Sequence, residues 1–184
     1  MALLTLDEAK AQLNIATDAN DLELEAYIEA LTAVIEGHTG PVEEREVTET
    51  VDGQGRYLAL LQPPVKEITA IVPIMDGGTP LDLAGLHVDG PSGVVRRTSG
   101  GKFSGGPWTV TYTAGRGEIP PTINVAARIL LQHLWRTQLG QGRGGVLGSS
   151  NDFSVNEPIP GFGYAVPNRV LQLLEPYKQP PGVA

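Results

Sequence analysis

The chain has 184 residues, a formal charge of −8 and no cysteine, which excludes a disulfide scaffold and thiolate chemistry while leaving length for a core that needs neither metal nor cross-link. The charge is unevenly placed: twelve acids among residues 1–50 face only Lys10 and Arg45, whereas nine acids beyond face eleven bases. A surface this acidic repels free nucleic acid instead of displacing its counterions.

In chain order, Thr5 followed three residues later by Glu8 is a capping-box pattern, and Leu6, Ala9 and Leu13 then share one face of a short first helix. A second, amphipathic helix carries Leu24, Ile28, Leu31 and Ile35, with Thr17 or Asp18 as its cap and Gly37 and Gly40–Pro41 as its stop. From Val42 the period shortens. Val47 to Val51, Tyr57 to Leu61, Ile68 to Val72, Leu86 to Val88, Val94 to Arg97 and Trp108 to Thr113 read as five or six short strands, antiparallel because their links are too short for crossovers. Asp52-Gly53-Gln54-Gly55 reads as a hairpin turn between the first two.

The segment IPPTINVAARILLQHLWRTQ, Ile119 to Gln138, predicts a helix of about five turns, entered through Pro120 and Pro121 and stopped by Gly140. Asn124, Arg128, Gln132 and Arg136 make a narrow polar stripe on it, and apolar residues cover most of the rest, so burial on more than one side is expected. Residues 140–166 lack periodicity and are glycine-rich, which predicts a mobile loop. A last helix follows, with Pro167 in its first turn, Val170, Leu171 and Leu174 apolar, and Pro176 at its end, before an extended tail. The 23 glycines and 15 prolines agree with many turns. No apolar run approaches the roughly 18 residues of a membrane span, and MALLTLDEAK lacks a basic stretch before an apolar one. The expectation is a soluble, unprocessed α+β protein. It has a small helical bundle of two N-terminal helices (1–41), a long central helix (117–139) and a C-terminal helix with tail (167–184). An antiparallel β domain is inserted at 42–116, and a flexible loop spans 140–166.

Chemistry-bearing motifs are weak. Gly140, Gly142 and Gly145 match G-x-G-x-x-G, but after a helix where a dinucleotide site needs a strand, and no lysine precedes Ser149 as a phosphate loop requires. His38, His87 and His133 lack ligand spacing, and Ser149 and Ser150 sit in no nucleophile elbow. Glu43, Glu44, Glu46 and Glu49 read as solvated strand-edge charges. No catalytic, cofactor or metal residue is assigned. Trp135 between Arg128 and Arg136 has the composition of an interface hot spot.

The stretches LLTLDEAKAQLNI, DLELEAYIEALTAVIEGHTG, VTYTAGRGEIPPTINVAARILLQHLW and AVPNRVLQLLEPY, in that order and spacing, resemble the head-tail connector, or head-completion adaptor, proteins of long-tailed bacteriophages. The resemblance covers most of the chain. It implies a non-catalytic virion neck protein, made in the host cytoplasm. Such proteins form a ring, dodecameric by the vertex symmetry, under the portal protein, extend the DNA channel, and dock a stopper or tail-completion protein. On that reading Arg128, Gln132, Trp135 and Arg136 are subunit-interface candidates. Arg143, Phe153, Phe162, Tyr164, Arg169 and Tyr177 are portal-binding candidates, and Asp18, Asp21, Glu25 and Glu29 are candidates to line the channel. Genomic DNA would pass without sequence-specific contact. The β insertion is large beside the compact, all-helical members of that family. The alternative is a carbohydrate- or protein-binding module using Trp108, Tyr112 and Tyr57 of the insertion.

Overall fold

The computed structural model describes residues 2–53, 55–75, 77–139 and 166–179, with backbone alone at 137–139. They form four α-helices and six strands in two compact units. One unit comprises residues 3–35, 120–139 and 166–176; the other comprises residues 2, 36–119 and 177–179.

The first unit is helical. In α1 (Leu6–Leu13) the capping box forms as the spacing predicts: Thr5 Oγ1 accepts from the Glu8 amide at 3.3 Å and Glu8 Oε2 accepts from the Thr5 amide at 3.0 Å. Such a cap contributes about 1 kcal/mol. Asn14 ends the helix in the left-handed region at φ 56, a conformation asparagine tolerates better than most residues. Then α2 (Asp21–Thr39) buries Leu24, Leu31 and Ile35 completely. It starts later than Thr17 or Asp18, because residues 17–20 form a turn closed by the Asp21 amide on the Asp18 carbonyl at 3.2 Å. It also runs through Gly37, since one glycine costs a helix only about 1 kcal/mol; Gly40, at φ 75 and followed by a proline, is where it stops.

The long helix is α3 (Pro121–Leu139). Its first amide bonds run from Ile123 and Asn124 to the Pro120 carbonyl, so the two prolines occupy the entry where no N–H is missed. Ile123, Ala126, Ala127, Leu130, Leu131 and Trp135 are buried, an arc of about half the circumference at 100° per residue. It packs against α1 and against α4 (Asn168–Leu174), which buries Val170 and Leu174. Trp135 meets Tyr27 of α2 edge-on, centroids 5.9 Å apart. Pro176 does not end the last helix at once: a 3₁₀ turn, Glu175–Tyr177, continues through it. Gly140, the expected stop of α3, lies outside the described residues, as does the tail from 180.

The second unit holds two three-stranded antiparallel sheets. In the first, β6 (Trp108–Ala114) lies between β1 (Arg45–Val51) and β3 (Val65–Pro73). Trp108, Val110, Tyr112 and Ala114 point inward on strict alternation. Along β3 the buried residues are Val65, Ile68 and Ile71, three apart instead of two, because its register slips twice. In the second sheet, β5 (Val94–Arg97) lies between β2 (Tyr57–Ala59) and β4 (Leu86–Asp89). Leu58, Val95, Phe103 and the inward residues of the first sheet form one core.

The expected hairpin at residues 52–55 does not form. β1 pairs with β6 over seven residues and β2 pairs with β5, so the segment crosses from one sheet to the other. Glycine is needed there for a different reason: a Cβ on Gly53 would overlap the side chains of Leu58 and Trp108. The expected turn at Gly90–Gly93 does join partners, β4 and β5, closed by the Gly93 amide on the Asp89 carbonyl at 2.8 Å with Gly93 at φ 70.

Candidate interaction surfaces

The polar stripe of α3 is turned largely to internal use. Asn124 Nδ2 donates to the Leu3 carbonyl at 3.0 Å, Arg128 Nε donates to Asn124 Oδ1 at 2.8 Å, and Arg128 Nη2 meets Glu8 Oε1 at 2.8 Å. The stripe thus ties the first residues and α1 onto the long helix. The Thr5 amide, together with Arg128, holds the Glu8 carboxyl below its ordinary range. Of the four subunit-interface candidates, Arg128 and Trp135 are engaged within the helical unit, Gln132 is half-buried, and Arg136 is exposed.

The acidic N-terminal quarter is also more neutralised than its formal charge suggests. Lys10 Nζ lies 2.6 Å from Asp18 and 2.7 Å from Asp21, and hydrogen bonds to both carboxylates raise the lysine pKa while Lys10 lowers that of Asp18. Glu36 pairs with Arg45 at 2.8 Å and Glu44 with Lys66 at 2.7 Å. Glu25 and Glu29 stand exposed on α2, beside Leu22 at 85% exposure. Of the four channel candidates, these two make no ion pair among the described residues, and the other two share one lysine.

Among the portal-binding candidates, Arg143, Phe153, Phe162 and Tyr164 lie outside the described residues, and Arg169 is exposed on α4. Tyr177 is half-buried inside the sheet unit, where the Arg116 guanidinium covers its ring at 5.2 Å. The same guanidinium donates to the Thr39 carbonyl at 3.1 Å and the Tyr177 carbonyl at 3.4 Å. Gln179 completes the attachment, its amide on the His38 carbonyl at 3.0 Å and its Nε2 on the Pro63 carbonyl at 3.2 Å. Burial pushes the Arg116 pKa down. This clamp on the chain's last described residues was not foreseen; a lone arginine between Gly115 and Gly117 gives no periodic signal.

A second unforeseen feature is a groove of about 660 Å³ on the outward face of the second sheet, where Tyr57, Leu61, Arg56 and Arg96 meet Thr50 and Asp52 from the end of β1. Tyr57 and Leu61 are 55% and 71% exposed, and Arg96 covers the Tyr57 ring at 4.9 Å. Trp108 and Tyr112, by contrast, are buried in the core. Only Tyr57 of the three aromatics proposed for a binding module is available. The period-two run Tyr57, Ala59, Leu61, apolar on the outward side of a strand, was the signal that could have marked the groove.

The chain matches the head completion protein family over residues 2–179. A chain from the neck of an empty gene transfer agent particle, computed with C6 symmetry, is similar in fold at TM-score 0.64 and 20% identity, covering 99% of this chain and 92% of that one. A neck chain of the native particle, computed with C12 symmetry, gives TM-score 0.60 and 21% identity over 95% of this chain and 90% of that one. A chain from the virion of the native particle gives 0.62 and 20% over 99% and 92%. No curated protein matches the chain by sequence. The chain belongs to the head completion protein family, a class of structural head-tail connector proteins.

Proposed function

We propose that the protein is one subunit of a closed ring in the neck of a phage-like particle. There it joins the head portal to the stopper or tail-completion protein and lets DNA pass without a catalytic step. The observation that carries this reading is the family match across residues 2–179. The fold shared with neck chains of gene transfer agent particles, one neck computed with twelvefold symmetry, supports a ring of twelve. Glu25 and Glu29 of α2 supply the channel-facing charge, since a wall that repels phosphate does not stall the genome. Of the candidate residues, Arg136 and Arg169 are exposed cations open to contacts with neighbours and portal.

Native mass spectrometry of the purified protein, alone and mixed with its portal, tests the reading. A ring mass in either sample is the expected result, and a monomer that never associates with the portal overturns it. In rings assembled from Glu25→Lys/Glu29→Lys protein, the mass should be unchanged while DNA is retained in a salt-dependent way. DNA retention equal to wild type would remove these two residues from the channel.

The carbohydrate-binding reading loses its stacking platform with Trp108 and Tyr112 in the core. Peptide binding keeps a specific site, the groove beside Tyr57.

A further inference from the structure

Beyond β3 the chain makes a turn held by three backbone bonds. The Ile74 amide donates to the Pro107 carbonyl at 3.0 Å, the Gly78 amide to the Met75 carbonyl at 3.2 Å, and the Leu81 amide returns to the Ile71 carbonyl at 3.0 Å. Gly78 packs on Pro73 so closely that a Cβ would overlap its ring. Val72, Ile74 and Met75 nonetheless stand exposed. An apolar knob already fixed in position loses little freedom when it binds, and a methionine at its tip adapts to an irregular pocket.

The groove on the second sheet has the shape to receive such a knob. Tyr57, Ala59 and Leu61 alternate along β2 and its continuation, where the Leu60 amide still bonds the Gly93 carbonyl at 2.9 Å. Tyr57 and Leu61 are therefore about 13 Å apart, four residues at 3.3 Å each, with the small Ala59 between them. Val94 lies opposite Ala59 and Arg96 opposite Tyr57 on β5, so the notch has an aromatic wall, an aliphatic wall and an apolar floor. Its charge is set by Arg56 and Arg96, opposed in the lining only by Asp52. The knob has the other sign: residues 67–95 contain no lysine or arginine, and Asp82 stands exposed just beyond the turn.

Knob and notch lie on opposite flanks of the sheet unit. On one flank β1 runs beside β2, joined by the Leu61 amide on Glu49 Oε1 at 2.8 Å, and the groove opens there. On the other, β3 meets β4 and the 3₁₀ turn Leu83–Gly85. Val51 and Pro73 face Trp108 from either side, so Asp52 and Ile74 leave the sheet at the same end, two strand spacings or about 10 Å apart. We infer that the turn carrying Ile74 and Met75 of one copy seats in the Tyr57–Leu61 notch of the next. The contact is head-to-tail, one flank on the opposite flank, which is the kind of interface that closes into a ring. It rests on the ring reading and names a contact that reading lacks.

Crosslinking of the full-length protein, assembled alone or on its portal, tests it. The chain lacks cysteine, so a short bismaleimide bridges only cysteines that are placed. Leu61→Cys/Met75→Cys protein should give a ladder rising by one subunit mass up to the ring, joined 61 to 75, and Tyr57→Cys/Ile74→Cys should do the same. Each single variant should run as a monomer on a denaturing gel, because a head-to-tail contact does not set one position against itself. Arg56→Glu/Arg96→Glu, added to either pair, should cut the ladder about tenfold, and Asp82→Lys added to that should restore it. Ladders from single variants, crosslinks only within one chain, a ladder indifferent to the charge reversal, or none from either pair in a protein that still forms rings overturn the docking and leave the ring standing. A protein that forms no oligomer by native mass spectrometry, alone or with portal, overturns both.

Discussion

Tyr112 carries a hydroxyl into an otherwise apolar core. It accepts from the Gln62 amide at 3.2 Å, and burial, reinforced by the nearby Glu49 carboxylate, pushes its pKa well above the ordinary value of 10.0. The folded state thus favours the neutral phenol. That contribution is complete below the unfolded-state pKa and is lost as pH climbs above it toward the folded value, so the protein should lose stability in strong alkali. Tyr112→Phe should flatten that loss, read as the urea midpoint from about pH 9 to about pH 12, while costing about 1 kcal/mol at neutral pH for the missing hydrogen bond. Trp135 is a parallel case in the helical unit. At 9% exposure against Tyr27 it is part of that unit's packing, so Trp135→Ala should cost about 3 kcal/mol in urea unfolding of the dissociated protein. Weakened ring assembly in this variant would then follow from weakened folding, whereas unchanged folding with lost assembly would make Trp135 an interface residue.

At the scale of elements, what the sequence disclosed was whatever depends on neighbours in sequence. The capping box of Thr5 and Glu8, the four-three-four spacing of Leu24, Ile28, Leu31 and Ile35, and the alternation from Trp108 to Ala114 each describe one element's own face. Partner choice depends on faces far apart in sequence. Asp52 to Gly55 has a hairpin's composition, yet Val51 lies opposite Trp108 and Tyr57 opposite Arg96. The candidate surfaces followed the same rule. Arg128 looked available because its partner, Glu8, is 120 residues away; Tyr177 looked available because Arg116 gives no pattern to read. Glu8→Gln separates the local and distant parts of that linkage. The depressed carboxyl pKa means stability present above the unfolded value and lost as pH falls through the folded one. The Gln variant should therefore be less stable near neutrality and lose less on acidification, measured by thermal melting across the acid range.

For the whole molecule, the covalent route through the sheet unit matters as much as any surface. Arg45 stands opposite Ala114 at one end of the seven-residue β1–β6 pairing. The chain enters the sheet just before Arg45 and leaves it just after Ala114, at that same end. Tension applied along those two crossings, as when a genome is expelled under pressure, would peel the pairing apart rung by rung like a zipper instead of shearing all rungs together. Arg116 closes the mouth of this zipper: its amide bonds the Val42 carbonyl at 3.2 Å and its guanidinium holds Thr39 and Tyr177. The absence of cysteine allows handles to be attached at Gly37→Cys and Glu118→Cys alone. Pulling between them in an optical trap should give one rupture of the sheet, at a lower force in Arg116→Ala; an unchanged force would show that the clip bears no load. On this view the half-buried arginine is a mechanical fastener, setting how much pull the sheet withstands before it opens.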